Sequence, residues 1–204
     1  MWADWFSRLR EDEVLVFIAI ARKKYNPKLK SEQVVFREIA TPNNYQQKFN
    51  KLKTLIHNYP SNANPEDYAL YLSFNPRSVI KALYLLEKQM SLWKFSMFMS
   101  GKLSDYLRHL KKLDREFISC LQKPESRSRR WFFLIDIDDP SKLSAVQDQI
   151  NNLGIKIEEK VKTKNGFHIL VKPFNIQLWQ PIENVEIIKD GVFHIYHPEA
   201  RSRR

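Results

Sequence analysis

A chain of 204 residues that is 43% hydrophobic and 28% charged has enough apolar material for a core in one or two domains, which excludes a disordered tail or a disulfide-stapled miniprotein. Its one cysteine, Cys120, allows neither an internal disulfide nor a zinc ribbon, so a reducing compartment is expected, the cytoplasm of a bacterial, archaeal or infected cell. The net charge of +11 is unevenly placed: residues 1–130 hold 24 basic and 13 acidic side chains, residues 131–204 ten of each. That asymmetry predicts a polyanion-binding surface beside a neutral half whose acids hold cations.

Along residues 4–25, Trp5, Leu9, Val14, Phe17, Ile18 and Ala21 largely recur at helical spacing and Asn26-Pro27 ends the run, which predicts an amphipathic helix. Its apolar stretch, residues 14–21, follows acids and is far shorter than the ~20 residues that span a bilayer, so neither a signal peptide nor a membrane helix is expected. Residues 33–40 are rich in β-branched and aromatic side chains and stop at Thr41-Pro42, as a short strand does, with a helix as the competing reading. Asn43 or Asn44 then caps a helix over residues 45–57, a polar loop covers 58–65, and residues 68–74 form a strand cut by Asn75-Pro76-Arg77. Residues 78–122 read as two helices broken near Ser100-Gly101, their aromatic and Met content assigned to core packing.

After the basic, serine-rich loop 124–130 the pattern changes. Residues 131–137 are a nearly unbroken apolar strand. Residues 141–153 are a helix capped by Ser141 or Asp139. Residues 155–161 and 166–171 are strands around Lys164-Asn165-Gly166, a linking segment covers 175–182, and 185–188 and 192–196 are strands around Lys189-Asp190-Gly191. The expected architecture is α+β, a basic N-terminal helical and small α/β unit (residues 1–130) followed by a ferredoxin-like unit (131–204), together one compact domain. In the second unit strand 131–137 is central, flanked by the strands from Gly166 and Val185.

Asp136 and Asp138 stand at i and i+2, so alternation aims both at one sheet face. Two carboxylates there repel unless a cation compensates, and an Asp-x-Asp pair is a hard oxygen site suited to Mg²⁺ or Mn²⁺, which commonly bridge to substrate phosphates. Alternation also places His168 and Lys172 on one face of their strand, and Glu186 and Asp190 on one face of theirs. If these faces coincide, one surface displays a metal site with Asp136, Asp138 and either Glu186 or Asp190 as the third acid. His168 and Lys172 then serve a phosphate chain, as phosphoryl or nucleotidyl transfer requires.

The ordered segments Phe133-Leu134-Ile135-Asp136-Ile137-Asp138, Thr163-Lys164-Asn165-Gly166-Phe167-His168 and Val185-Glu186-Ile187-Ile188-Lys189-Asp190 resemble the motif set of the archaeo-eukaryotic primase superfamily, the primase-polymerases. Residues 71–77 resemble a strand and turn upstream in phage and plasmid members. The resemblance covers the chain from about residue 34 onward. It implies an RRM-like catalytic unit, a two-metal site on Asp136, Asp138 and Glu186, and His168 on the triphosphate of an incoming nucleotide, with Thr163, Lys164 and Asn165 around it. Lys172 and Arg77 are further phosphate contacts in this reading. In many members a serine lies two residues before the histidine, where this chain has Gly166.

The implied partners are a single-stranded nucleic-acid template, nucleoside triphosphates and a replication helicase, without a membrane; Arg127, Arg129 and Arg130 are the loop cations expected along the template. Two other classes fit the residues. One is a non-catalytic, primase-like nucleic-acid-binding replication accessory, and the other an Asp-x-Asp transferase acting on a nucleotide-activated small molecule.

Overall fold

The computed structural model describes residues 2–24, 27, 29–58, 68–163 and 165–196. It is a mixed α/β protein with two antiparallel sheets. The expected helix over 4–25 is replaced by a 3-10 turn, Trp2–Arg8, and a ten-residue strand, β1 (Glu13–Arg22). The reason lies in the run Val14-Leu15-Val16-Phe17-Ile18-Ala19. All six residues are buried, so a strand with a neighbour on each side and cover on both faces suits this β-branched-rich stretch, whereas one helical stripe would leave half of it exposed.

Strand β2 (Gln33–Ala40) pairs with one edge of β1, and helix α1 (Tyr45–Asn58) follows it. Strand β3 (Tyr68–Ser73) pairs with the other edge, and the two-residue β4 (Arg77–Ser78) with the start of β1. Three helices come next, α2 (Val79–Ser100), α3 (Leu103–Leu110) and α4 (Leu113–Gln122), where two were expected. Ser78 Oγ caps α2 by accepting the Lys81 N–H, and Gly101, at φ 68°, ends it in the left-handed region that favours glycine.

The remaining elements are β5 (Phe133–Ile137), α5 (Leu143–Asn152), β6 (Ile157–Lys162), β7 (Phe167–Val171), β8 (Val185–Ile188) and β9 (Val192–Tyr196). The second sheet has the order β6-β7-β5-β8, with β5 between β7 and β8 as the sequence predicts. Strand β9 departs from the expectation: it leaves this sheet and pairs with β3, giving the first sheet the order β2-β1-β3-β9. Phe193 thereby reaches the core shared by the two sheets, where Trp5 packs 6.1 Å from it and 5.3 Å from Phe132.

Phe133, Ile135 and Ile137 pack under α5, whereas Leu134 and Leu170 face the first sheet. On the other side of the first sheet, Val14, Val16 and Ile18 are covered by α2 and α4. Of the aromatic and Met side chains expected in the core from 78–122, Met90, Trp93 and Phe117 are partly buried, but Phe95, Phe98 and Met99 are exposed. Asn75 locks the sheets together. Its buried Oδ1 accepts the N–H groups of Trp131 (2.7 Å) and Phe132 (3.0 Å), and its Nδ2 donates to Phe132 O and Lys189 O.

Candidate functional site

The ladder around β5 sets the site. Asp136 lies directly opposite His168 on β7 and Glu186 on β8, so the three side chains start from one row on one face of the sheet. Asp138, two residues on, joins that face beyond the end of β5, its N–H held by Asn184 O at 3.0 Å. Asn184 adopts φ 61°, a left-handed conformation that asparagine tolerates, in the turn leading into β8.

Asp136 is half-buried, with Oδ1 3.4 Å from His168 Nε2, while Asp138 and Glu186 are exposed. His168 Nδ1 accepts the backbone N–H of His194 on β9 at 3.3 Å. That contact assigns the proton of a neutral imidazole to Nε2, so the ring presents a donor toward Asp136.

The hairpin between β6 and β7 supplies the next wall. Thr163 Oγ1 accepts the Gly166 N–H at 3.1 Å, and the Thr163 N–H donates to Gly166 O at 2.9 Å. A Cβ on Gly166 would lie 1.7 Å from Ile137 O, so no other residue fits there without moving the strand that carries the Asp pair. Glycine at this position is therefore a packing requirement. Lys164 lies outside the described residues.

These groups line a cleft of about 340 Å³ between the sheets, in the size range of small-ligand sites. The second sheet contributes Leu134, Asp136, Asp138, His168 and Ile188, and the hairpin Thr163 and Asn165. The rest of the lining comes from the first sheet, with Ile20 and Arg22 on β1, Lys24 just after it, Ala69 and Tyr71 on β3, and Val192 and His194 on β9. Ile20 pairs with Ala69 and Tyr71 with His194, which makes this part of the lining one continuous face. The second sheet therefore supplies the acids of the cleft and the first sheet, with the residues just after β1, its cations Arg22 and Lys24.

A helical reading of 4–25 hid Arg22 and Lys24. The signal that reveals them is the basic run 22–24 directly after an apolar run, which in a strand places Ile20 and Arg22 on one face.

The structure separates other expected residues from the cleft. Asp190 and Arg77 form a buried ion pair at 2.7 Å, and Arg77 also donates to Lys123 O. Of the two acids, Glu186 stands opposite Asp136 on the sheet, outside the lining of the cleft, and Arg77 serves the turn between β8 and β9. Lys172 is four residues beyond His168, 3.5 Å from Glu158 and over the Phe132 ring.

Among the loop arginines, Arg129 grips the buried Glu13 through Nε (2.9 Å) and Nη2 (2.8 Å), and Arg127 leans toward Asp190 at 3.9 Å. Only Arg130 of the three is exposed, beside the Phe133 ring. Asp139 caps the 3-10 turn Pro140–Lys142, and hydrogen bonds from the backbone and side chain of Ser141 hold its carboxyl below the usual range.

Among the described residues no three His, Cys, Asp or Glu side chains are gathered closely enough to hold a metal by themselves. The donor chemistry of Asp136 and Asp138 nevertheless fits Mg²⁺ or Mn²⁺, since magnesium is typically bound through one or two carboxylates with substrate phosphates completing its shell. No helix among the described residues is long and apolar enough to cross a membrane. Comparison with protein-family models, with curated proteins and with solved structures yields no match.

Proposed function

We propose that this chain is a metal-dependent nucleotidyltransferase of the primase-polymerase type, which extends or initiates a nucleic-acid strand from nucleoside triphosphates on a single-stranded template. The observation that carries the reading is the cleft that both sheets border, with Asp136 and Asp138 from the second sheet, Arg22 and Lys24 at the end of β1 in the first, and the His168 ring at Asp136. A site for a metal-bound triphosphate needs this division, because its carboxylates serve the cation and its cations serve the phosphates. The order of the second sheet, with β7 inserted between two strands joined by α5, also agrees with a ferredoxin-like, RRM-like unit.

In this reading Asp136 and Asp138 would hold Mg²⁺ or Mn²⁺ together with substrate phosphates, with Glu186 on the same sheet face as the third acid, and the ion would supply charge neutralisation at the reacting phosphate and a lower pKa of the attacking hydroxyl. His168 Nε2–H, with its tautomer set by the His194 amide, donates to a phosphate oxygen. Arg22 and Lys24 offset the charge of the β- and γ-phosphates, and the hairpin residues Thr163 and Asn165 border the same chain.

The test is incorporation of labelled nucleotide on primed and unprimed single strands with and without Mg²⁺ or Mn²⁺. Metal-dependent incorporation that disappears in D136A and D138A supports the reading. Salt-sensitive strand binding with no incorporation under any metal overturns it in favour of a non-catalytic accessory.

A further inference from the structure

Helix α2 buries Ala82 and Leu86 against the first sheet, and Trp93 is held by a stacked His109 on α3 at 4.4 Å. Much of its apolar content lies on the outside. Tyr84, Phe95 and Phe98 are 68%, 64% and 70% exposed, and Ile80, Leu83, Leu92 and Met99 are exposed with them. At 100° per residue Ile80, Tyr84, Phe95 and Phe98 fall within about 60° of arc, so they share one side of a rod roughly 33 Å long as two apolar pairs, with the exposed Glu87 and Ser91 on that side between them.

Lysines flank these pairs on both sides, Lys88 on one and Lys94 on the other, and neither has an ion-pair partner among the described residues. Glu87 is the one acid on α2. Residues 79–123 as a whole carry nine Lys and Arg against four Asp and Glu. An uncovered apolar face of this extent on a folded protein marks an interaction surface.

We propose that the outer face of α2 docks an amphipathic helix of another protein, whose apolar side covers Ile80, Tyr84, Phe95 and Phe98 and whose acidic flanks meet Lys88 and Lys94. Charge selects this occupant. A second copy of the chain would bring two basic surfaces together. A single nucleic-acid strand would find phosphate partners and rings to stack on at Tyr84, Phe95 and Phe98, but it would leave the aliphatic Ile80, Leu83, Leu92 and Met99 beside them without apolar cover, which a helix's apolar side supplies. The mode is helix-in-groove recognition read by residues at helical spacing. It does not depend on the nucleotidyltransferase reading.

The probes are a fluorescent synthetic helix of about 20 residues with a leucine stripe and glutamate flanks, its counterpart with lysine flanks, and an oligo-dT strand. Binding of each to the full chain is followed by anisotropy. The glutamate peptide should bind with a salt-sensitive affinity and the lysine peptide at least about tenfold more weakly. F95S/F98S should weaken the glutamate peptide by about tenfold or more with unchanged circular dichroism and melting. K88E/K94E should invert the preference between the two peptides.

Equal binding of both peptides, or no effect of F95S/F98S, overturns the proposal. So does loss of oligo-dT binding in F95S/F98S while the peptide still binds, which assigns the face to nucleic acid. A concentration-dependent dimer that F95S/F98S abolishes assigns it to a second copy and likewise overturns the proposal. Nucleotide incorporation by F95S/F98S should equal that of the parent chain, so failure of either reading is recognisable separately.

Discussion

Two groups of acids in this protein are treated in opposite ways. Glu13 and Asp190 are buried and matched: Glu13 accepts from Arg129, Ser128 and the Arg10 amide, and Asp190 is paired with Arg77. Asp136, Asp138 and Glu186 share one sheet face without an Arg or Lys ion-pair partner among the described residues, and the imidazole of His168 is the one basic ring at Asp136. The matched acids hold the sheets and the loop 124–130 in place, whereas the unmatched ones keep their charge available to a ligand. Sequence spacing alone makes Glu186 and Asp190 equivalent candidates. Their partners separate them.

The contrast breaks most sharply under alanine substitution. D136A and D138A should each lower nucleotide incorporation by on the order of a thousandfold, about 4 kcal/mol in barrier height, while the urea midpoint stays near that of the parent chain. Normal incorporation by both variants would remove the unmatched acids from the chemistry.

R77A should act in the opposite sense, costing about 3 kcal/mol of stability because it leaves the Asp190 carboxylate buried without its partner. Equilibrium urea unfolding measures this. A loss below roughly 0.5 kcal/mol would mean that the pair is dispensable.

R22A tests the cation at the cleft and should raise the nucleotide KM by a factor of roughly 30, about 2 kcal/mol for a lost charge-assisted hydrogen bond, with stability unchanged. Steady-state kinetics at fixed metal decides it, and an unchanged KM would separate Arg22 from the phosphates.

The smallest effect is a pH dependence. Burial pushes the Glu13 carboxyl up, but hydrogen bonds from Arg129, Ser128 and the Arg10 amide outweigh it and hold the group below the ordinary glutamate range. Since the folded value is the lower one, this stabilisation is complete above the unfolded value of about 4.3 and is lost as pH falls through the depressed folded value. E13Q should therefore lower the neutral plateau of a stability-against-pH curve and flatten its acid limb, because the stabilisation that Glu13 loses on protonation is absent from the variant at every pH. An identical acid limb in both proteins would mean that Glu13 titrates normally.

The basic loop shows how far charge arithmetic reaches. A surplus of cations before residue 131 is legible from composition, but which of them are available is not. Arg129 is consumed by Glu13, 116 residues away in the chain, and Arg77 by Asp190, 113 residues away. Reversing Arg129 would report on folding before it reported on a template. Arg22 at the cleft, and Lys88 and Lys94 on α2, are the informative cations.

Local pattern determined much of this protein. Period-two alternation placed Asp136 and Asp138 on one face, and the turn residues around Lys164-Asn165-Gly166 and Lys189-Asp190-Gly191 marked the strands on either side of them. Those signals are legible because the two acids interrupt a strand that is otherwise apolar and buried on both faces, and because turn residues break the apolar runs on either side of it. Tertiary structure alone decided three things. It made the apolar run after Glu13 a strand, because a segment buried on both faces has no period from which to tell strand from helix. It sent β9 to the first sheet, where its His194 amide orients His168. It also set which charges stay available, because a carboxylate's freedom depends on a partner that folding brings from a distant part of the chain.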